Sequence, residues 1–179
     1  MKILNIHGYK GSPENTAKKI LDQLGYPVIS PALDYDQIPP AQIFSDLEII
    51  LKHQSPDVIT GTSYGGFFAA ALCAKYQIPV ILISPCLLPF VHLPRLGCAW
   101  DVKEYLPIFA MISDLDKDLT ATIIGGKDEI IDTHDFTWNY LENQNFMIHP
   151  DGMHSGATLP LDEFFSKILK EFSLKYNFK

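Results

Sequence analysis

The chain has 179 residues, which is enough for one domain and short for two. Its 47% of apolar and 20% of charged residues are typical of a globular protein and exclude a disordered or low-complexity chain. A formal net charge of -7 argues against a nucleic-acid partner, because binding to a phosphate backbone needs a basic surface.

The sequence also predicts a cytoplasmic protein. Its first apolar stretch is too short for the core of a secretory signal peptide. The longest apolar run, residues 67–74, is far below the roughly twenty residues of a membrane-spanning helix, so no membrane association is expected. Cys73, Cys86 and Cys98 cannot all pair, and reduced thiols in the cytoplasm are the simplest interpretation.

Short apolar runs alternate with amphipathic stretches along the chain. The runs predict strands at residues 2–6, 28–30, 57–60, 80–84, 121–124 and 146–149. Helical spacing of apolar residues predicts helices that include residues 17–24, 43–51, 64–76, 133–141 and 161–172. We expect the first helix to start with Ser12 as its N-cap and Pro13 at its first position. This repetition predicts a single α/β domain over 1–179, with a mostly parallel sheet of about six strands and helices on both faces.

One stretch breaks the alternation. Residues 85–118, between the fourth and fifth predicted strands, are rich in proline and apolar side chains. A segment of that length is seldom a bare loop in a compact domain. We interpret it as a small cap over the carboxyl edge of the sheet, where ligands bind in open α/β folds.

A Gly-Thr-Ser-Tyr-Gly motif at residues 61–65 lies between the third predicted strand and its helix. Such a motif is typical of a tight turn that holds a serine in a strained backbone conformation with its hydroxyl exposed. Gly61 and Gly65 let the strand and the helix approach each other, and Gly66 lets the helix pack closer still. The sequence therefore predicts Ser63 as a nucleophile; the alternative is a plain glycine-rich turn.

A serine nucleophile needs a histidine base and a carboxylate that orients the histidine. In a fold of this kind the order along the chain is serine, acid, histidine. Asp128 follows the fifth predicted strand and His154 follows the sixth, so both lie at the same edge of a parallel sheet as Ser63. The sequence therefore predicts a catalytic triad of Ser63, Asp128 and His154.

Other residues compete for the acid and base roles. The acid could also come from Asp132, Asp135 or Asp151. Among the histidines, His149 ends a strand and is expected to point into packing, whereas His134 starts a helix and is expected to be solvated. The spacing of these side chains does not fit a metal site, so no metal is expected.

The negative charge that develops on a substrate carbonyl oxygen needs two preorganised donors. One candidate is the backbone N–H of Tyr64, at the start of a buried helix. The other is the N–H of Tyr9 in the loop after the first strand, where Gly8 would permit an unusual turn. His7 precedes Ser63 in the chain, so we expect its ring to pin that loop by hydrogen bonds to backbone rather than to act as a base.

Together these motifs resemble the α/β-hydrolase superfamily and, more narrowly, the YqiA-like family of small single-domain esterases. The motifs that carry the resemblance lie at residues 7–9, 12–13, 61–66, 84–85, 128–132 and 152–154. The resemblance implies a serine esterase that uses Ser63, Asp128 and His154 and needs neither a metal nor an organic cofactor.

The expected function is that of a serine carboxylesterase acting on short- to medium-chain acyl esters of small molecules through an acyl-enzyme intermediate. An acyl thioesterase is the nearest alternative, because a thioester passes through the same tetrahedral species. A non-catalytic ligand-binding domain on the same fold is the alternative from another class. The sequence does not indicate an oligomeric state.

Overall fold

The computed structural model describes residues 1–98 and 100–178. Six strands in these ranges form one sheet, and every neighbouring pair of strands is parallel. The strand order is β2-β1-β3-β4-β5-β6. The predicted parallel sheet is therefore confirmed. The strands are β1 (Ile3–Ile6), β2 (Val28–Ile29), β3 (Val58–Thr62), β4 (Val80–Ile83), β5 (Thr120–Gly125) and β6 (Phe146–His149).

Helices cover both faces of the sheet, as predicted. Because successive side chains of a strand point to opposite faces, Val80 and Leu82 enter one apolar core while Ile81 and Ile83 enter the other. None of the helices in the described ranges is both long and apolar enough to cross a membrane. The helices are α1 (Thr16–Gln23), α2 (Pro40–Gln54), α3 (Tyr64–Tyr76), α4 (Pro89–Leu96), α5 (Val102–Ile112), α6 (His134–Leu141) and α7 (Leu161–Tyr176).

Helix α3 is apolar on every side and is buried almost from end to end. A helix of that composition must be covered on its outer side as well as on the sheet side. Helix α5 supplies the outer cover, since Tyr105, Ile108 and Ile112 join the same core as Phe67 and Phe68. Helix α5 therefore contributes to the core of the domain.

The segment 85–118 contains helices α4 and α5, and α4 contacts two loops at the carboxyl edge of the sheet. There the His92 Nε2 atom is 2.9 Å from the Thr133 hydroxyl oxygen, in the loop that follows β5. At its other end, the carbonyl of Leu96 accepts a hydrogen bond from Lys10 at 3.1 Å, in the loop that follows β1. Helix α4 thus bridges two loops of this edge, and its role as a cap stays a prediction.

The predicted start of the first helix is wrong. Ser12 and Pro13 lie outside α1, and the N-cap is Asn15, whose side-chain oxygen accepts a hydrogen bond from the Lys18 N–H at 2.9 Å. The same oxygen accepts a second hydrogen bond, at 3.1 Å, from the Asn5 side chain on β1. Helix α1 starts directly after Asn15, which both caps the helix and attaches it to the sheet.

Candidate active site

The candidate site lies where the chain changes direction across the sheet. From β1 the chain crosses to β2 on one side, and β3 then pairs with β1 on the other side. Such a switch point leaves a crevice at the carboxyl ends of β1 and β3, where α/β folds bind ligands. Tyr9 follows β1 and Ser63 follows β3, so both predicted site residues lie beside this crevice.

Ser63 occupies a strained turn between β3 and α3. Its backbone angles are φ 53° and ψ −122°, a conformation that is costly for a residue with a side chain. Hydrogen bonds hold the turn on both sides: the Ser63 N–H donates to the carbonyl of Ile83, and its carbonyl accepts from the N–H groups of Gly66 and Cys86, each at 2.9 Å. The turn that the motif predicts is therefore present.

Close contact between β1, β3 and α3 explains the two glycines of the motif. A methyl group on Gly65 would lie 2.3 Å from the carbonyl oxygen of Ile6. One on Gly61 would lie 2.6 Å from the Cβ atom of Ala69 in α3. Neither position has room for a larger residue without a shift of the backbone, which confirms the need for small neighbours around Ser63.

Gly8 brings the loop after β1 against the turn at Ser63. A Cβ atom on Gly8 would lie 2.9 Å from the Ser63 Cβ atom and 3.5 Å from the Ser63 Oγ atom. The positive φ angle in this loop, 55°, belongs to Lys10. The expectation that Gly8 permits an unusual turn is therefore wrong; Gly8 is needed because a side chain there would collide with Ser63.

The structure brings together the three residues of the predicted triad. The Ser63 Oγ atom lies 2.9 Å from the His154 Nε2 atom. The His154 Nδ1 atom lies 2.9 Å and 3.1 Å from the two carboxylate oxygens of Asp128. A continuous line of hydrogen bonds therefore runs from the serine hydroxyl through the imidazole to the carboxylate.

The Asp128 carboxylate is buried, with only 1% of its side chain exposed. Burial raises the pKa of this carboxyl group, but hydrogen bonds from His134, His154 and the Ile131 N–H outweigh burial and hold the pKa well below its usual range. An ionised carboxylate can only accept, so the His154 proton must be on Nδ1. The unprotonated Nε2 atom of His154 then faces the Ser63 hydroxyl, as a general base requires.

His134 contradicts the expectation of a solvated side chain. Its Nε2 atom lies 2.8 Å from Asp128 Oδ2, and only 13% of its side chain is exposed. The Asp128 side chain accepts hydrogen bonds from the Ile130 and Ile131 N–H groups, so the loop folds back and places the start of α6 beside the carboxylate. The only sequence signal for this contact is the short spacing between Asp128 and His134.

The competing acids lie away from Ser63. Asp132 is exposed and accepts a hydrogen bond from Arg95 at 3.0 Å. Asp151 is exposed and accepts one from Lys127 at 2.6 Å. Asp135 is exposed in the first turn of α6. Of the four aspartates considered, Asp128 alone contacts His154 in the part of the chain that the structure describes.

The two predicted oxyanion donors flank Ser63 in the structure. Tyr64 is the first residue of α3, and Tyr9 follows the glycine that contacts Ser63. Within residues 1–98 and 100–178, the backbone N–H groups of Tyr9 and Tyr64 have no protein acceptor. The positive end of the α3 dipole also lies at Tyr64, which favours negative charge there. Their role as donors stays a prediction.

His7 holds the loop that carries Tyr9. Its Nε2 atom accepts a hydrogen bond from the Leu33 N–H at 3.1 Å, so its proton is on Nδ1, which lies 2.9 Å from the Gly8 carbonyl oxygen. Burial lowers the pKa of His7 more than the Gly8 hydrogen bond raises it. These contacts confirm that a neutral His7 pins the loop by hydrogen bonds to backbone.

Two cavities border the line of hydrogen bonds. The smaller, of about 200 Å³, reaches Ser63 and His154 and is also lined by Tyr9, Asn15 and Leu161. The larger, of about 420 Å³, lies on the other side of Asp128 and does not reach Ser63. In the described ranges, no group of three or more His, Cys, Asp or Glu side chains is arranged to hold a metal ion.

Solved structures with the α/β-hydrolase fold resemble this chain over nearly its whole length. An α/β hydrolase enzyme from the metagenome of lagoon sediments at Mar Chica, Morocco, has a TM-score of 0.65 and 16% identity over 99% of this chain and 92% of that chain. The esterase PF2001 from Pyrococcus furiosus has a TM-score of 0.61 and 14% identity over 99% and 82% of the two chains. The esterase RhEst1 from Rhodococcus sp. ECU1013 has a TM-score of 0.60 and 12% identity over 97% and 90%. At these identities the likeness shows the fold, which confirms the predicted fold class.

Family membership rests on a comparison of sequences. No curated protein matches the chain. Residues 2–159 match the Uncharacterised protein family (UPF0227), and this range includes Ser63, Asp128 and His154. The chain therefore belongs to the uncharacterised protein family UPF0227, which confirms its resemblance to the YqiA-like proteins.

Proposed function

We propose that the protein is a serine carboxylesterase that hydrolyses short- to medium-chain acyl esters of small molecules through an acyl-enzyme intermediate. The observation that carries this proposal is the line of hydrogen bonds from Ser63 Oγ through His154 to Asp128. Acyl transfer by a serine requires an accessible hydroxyl, an unprotonated imidazole nitrogen and a buried carboxylate. The three side chains of this line provide these groups.

In the first half of the reaction, the Ser63 oxygen attacks the carbonyl carbon of the ester. The hydroxyl proton moves to His154 Nε2 as the new C–O bond forms, and the carbonyl oxygen becomes negatively charged. Collapse of this tetrahedral species breaks the bond to the leaving alkoxide, which takes the proton from His154 and departs as an alcohol. Ser63 is left acylated.

In the second half, a water molecule takes the place of the alcohol. His154 Nε2 removes a proton from the water as the oxygen attacks the acyl carbon. The second tetrahedral species collapses to release the carboxylic acid, and the Ser63 oxygen recovers its proton from His154. In both halves Asp128 stabilises the imidazolium and keeps the proton of neutral His154 on Nδ1.

Backbone groups at Tyr9 and Tyr64 complete the proposed chemistry. Their N–H groups are the candidates to donate to the negative oxygen of both tetrahedral species, and each such donor contributes roughly 3 kcal/mol to the lowering of the barrier. These donors belong to two loops that contact each other at Gly8 and Ser63. The chemistry as proposed uses side chains and backbone alone, with no metal or organic cofactor.

The test is hydrolysis of p-nitrophenyl acetate, butyrate and octanoate by the wild type and by Ser63→Ala. We expect measurable turnover by the wild type and its loss in the variant. Ser113→Ala, a change at an exposed serine at the end of α5, is the matched control and should keep full activity. An organophosphonate should label the wild type at Ser63 with one equivalent.

Different results separate this proposal from its alternatives. Turnover that prefers acyl-CoA thioesters over oxygen esters would indicate a thioesterase. A wild type that hydrolyses neither class and takes up no organophosphonate would favour a ligand-binding domain and overturn the proposal. Equal turnover by the wild type and Ser63→Ala would exclude Ser63 as the nucleophile.

A further inference from the structure

Asp128 accepts hydrogen bonds from a second histidine in addition to His154. The His134 Nε2 atom lies 2.8 Å from Asp128 Oδ2, the same oxygen that His154 Nδ1 approaches at 2.9 Å. Because the ionised carboxylate cannot donate, His134 must carry its proton on Nε2. The two imidazoles therefore both donate to one buried carboxylate oxygen.

These contacts determine how the carboxylate is oriented. Oδ1 accepts the N–H groups of Ile130 and Ile131, each at 2.9 Å, and Oδ2 accepts from His134 and His154. Without the His134 donor, Oδ2 would keep His154 as its only close partner within the described residues. The position of Oδ2 would then depend on the same imidazole that it has to orient.

The start of α6, which carries His134, is attached to helix α4. Thr133, the residue before it, contacts His92 Nε2 through its hydroxyl at 2.9 Å, and His92 is 1% exposed. The side chain of His134 is mostly buried at the first turn of α6, on the wall of the larger cavity. The backbone that carries His134 is thus attached to α4 through Thr133, while Asp128 is the hydrogen-bond partner of the ring among the described residues.

We propose that His134 is a positioning residue for the triad: its Nε2–H holds Asp128 in the orientation that serves His154 and shares the charge of the carboxylate. This inference rests on the proposed function, since it assigns a role within that same reaction. His134 does not touch the substrate or the reacting atoms in this role.

The effect of His134 on the protonation of His154 has a direction that can be measured. A donor on Asp128 draws negative charge toward itself and leaves less for the imidazolium of His154. Removing that donor stabilises the imidazolium, so the protein must reach a higher pH before the unprotonated base is available. Other ionisable groups that face these three side chains are Cys86, His92, Arg95, Glu129, Asp132 and Asp135. All of them stay in place in the variants below.

The test compares His134→Phe, which keeps a ring without a donor, with His134→Gln, whose amide nitrogen takes the place of Nε2. With a p-nitrophenyl ester, we expect His134→Phe to lower kcat about tenfold with little change in KM. Its acid limb of kcat/KM should move up by about 0.5 pH unit. His134→Gln should return both quantities to near the wild type. His53→Leu, at an exposed histidine of α2, is the matched control and should change neither.

Each possible result supports or contradicts the positioning role of His134. Wild-type kcat and pH profile in His134→Phe would overturn it, while Ser63-dependent hydrolysis would leave the proposed function standing. An equal loss of kcat in His134→Phe and His134→Gln would show that activity depends on the packing of the ring and not on its hydrogen bond to Asp128, which would overturn the proposal. If His134→Phe fails to fold, His134→Leu takes its place with the same expectations. A wild type without Ser63-dependent activity would overturn the proposed function and this inference together.

Discussion

The His154 Nε2 atom lies 2.9 Å from Ser63 Oγ although 91 residues separate the two in the chain. Ser63 follows β3 and His154 follows β6, and β4 and β5 lie between these strands. At a spacing of about 4.8 Å per strand, the two strands are about 14 Å apart. The loop after β6 closes this gap by folding across the end of β5, where the Gly152 carbonyl accepts from the Lys127 N–H at 2.8 Å.

Asp128→Asn tests the assignment of the acid. An amide in place of the carboxylate can donate to Nδ1 and favour the wrong tautomer of His154, so we expect kcat/KM to fall by about a thousandfold or more. Asp132→Asn and Asp135→Asn, at exposed positions of the same region, should stay within about threefold of the wild type. A larger loss in either of these controls would move the acid role to that residue.

The pH dependence of activity should reflect a histidine base and not the acid. Because hydrogen bonds hold the pKa of Asp128 well below its usual range, that carboxylate stays ionised below pH 4, where an ordinary aspartate takes up a proton. Histidine side chains ordinarily titrate near pH 6.5. We therefore expect kcat/KM to fall with the slope of one proton between pH 7 and pH 5, measured with a p-nitrophenyl ester. A flat profile over that range would contradict a histidine base.

Gly8→Ala should damage the site more than the fold. The added methyl group would lie 2.9 Å from the Ser63 Cβ atom and 3.1 Å from the Thr62 carbonyl oxygen, so the loop or Ser63 must shift. We expect kcat to fall about tenfold or more, because a misplacement of even about 1 Å is costly in catalysis. Ser113→Ala, at an exposed position at the end of α5, is the control, and its activity should stay within about threefold of the wild type. Equal activities would show that the loop adjusts freely.

The cysteine thiols should be unreactive in the folded protein. Cys73, Cys86 and Cys98 are free and buried, and burial raises the pKa of the Cys73 and Cys86 thiols to about 12. Since the thiolate is the reactive form, iodoacetamide at pH 8 should leave the native protein unlabelled and active. Mass spectrometry after unfolding in denaturant should show alkylation of all three. Rapid native labelling with loss of activity would contradict this prediction.

Asn15→Ala tests the start of α1. The variant loses the cap of the helix and the hydrogen bond from Asn5 on β1, so we expect the free energy of unfolding to fall by about 1 to 2 kcal/mol. Ser12→Ala, at the exposed position that the sequence pattern favoured as the cap, should change it by less than about 0.5 kcal/mol. Urea unfolding measures both variants. The reverse order would place the cap at Ser12.

The strands and the central helix follow from local patterns in the sequence. Apolar runs such as Val80–Ile83 predict strands because a strand buried on both faces needs apolar side chains throughout. Helix α3 has the predicted bounds, Tyr64–Tyr76, because its composition permits only a buried helix. The candidate residues Ser63, Asp128 and His154 could be found because each follows a strand, and the carboxyl ends of parallel strands share one edge.

The sequence by itself determined the parallel sheet, the turn at Ser63 and the loops that bring three candidate residues to one edge. The strands and turns that make up these features depend on residues close together in the chain. The spacing of apolar residues and the positions of turn residues are therefore enough to predict them. Only the tertiary structure decided that His134 contacts Asp128, that Gly8 faces Ser63 and that α5 covers α3. Each of those contacts depends on how the folded elements pack against one another. A local sequence pattern contains no information on that packing, so it could not predict them.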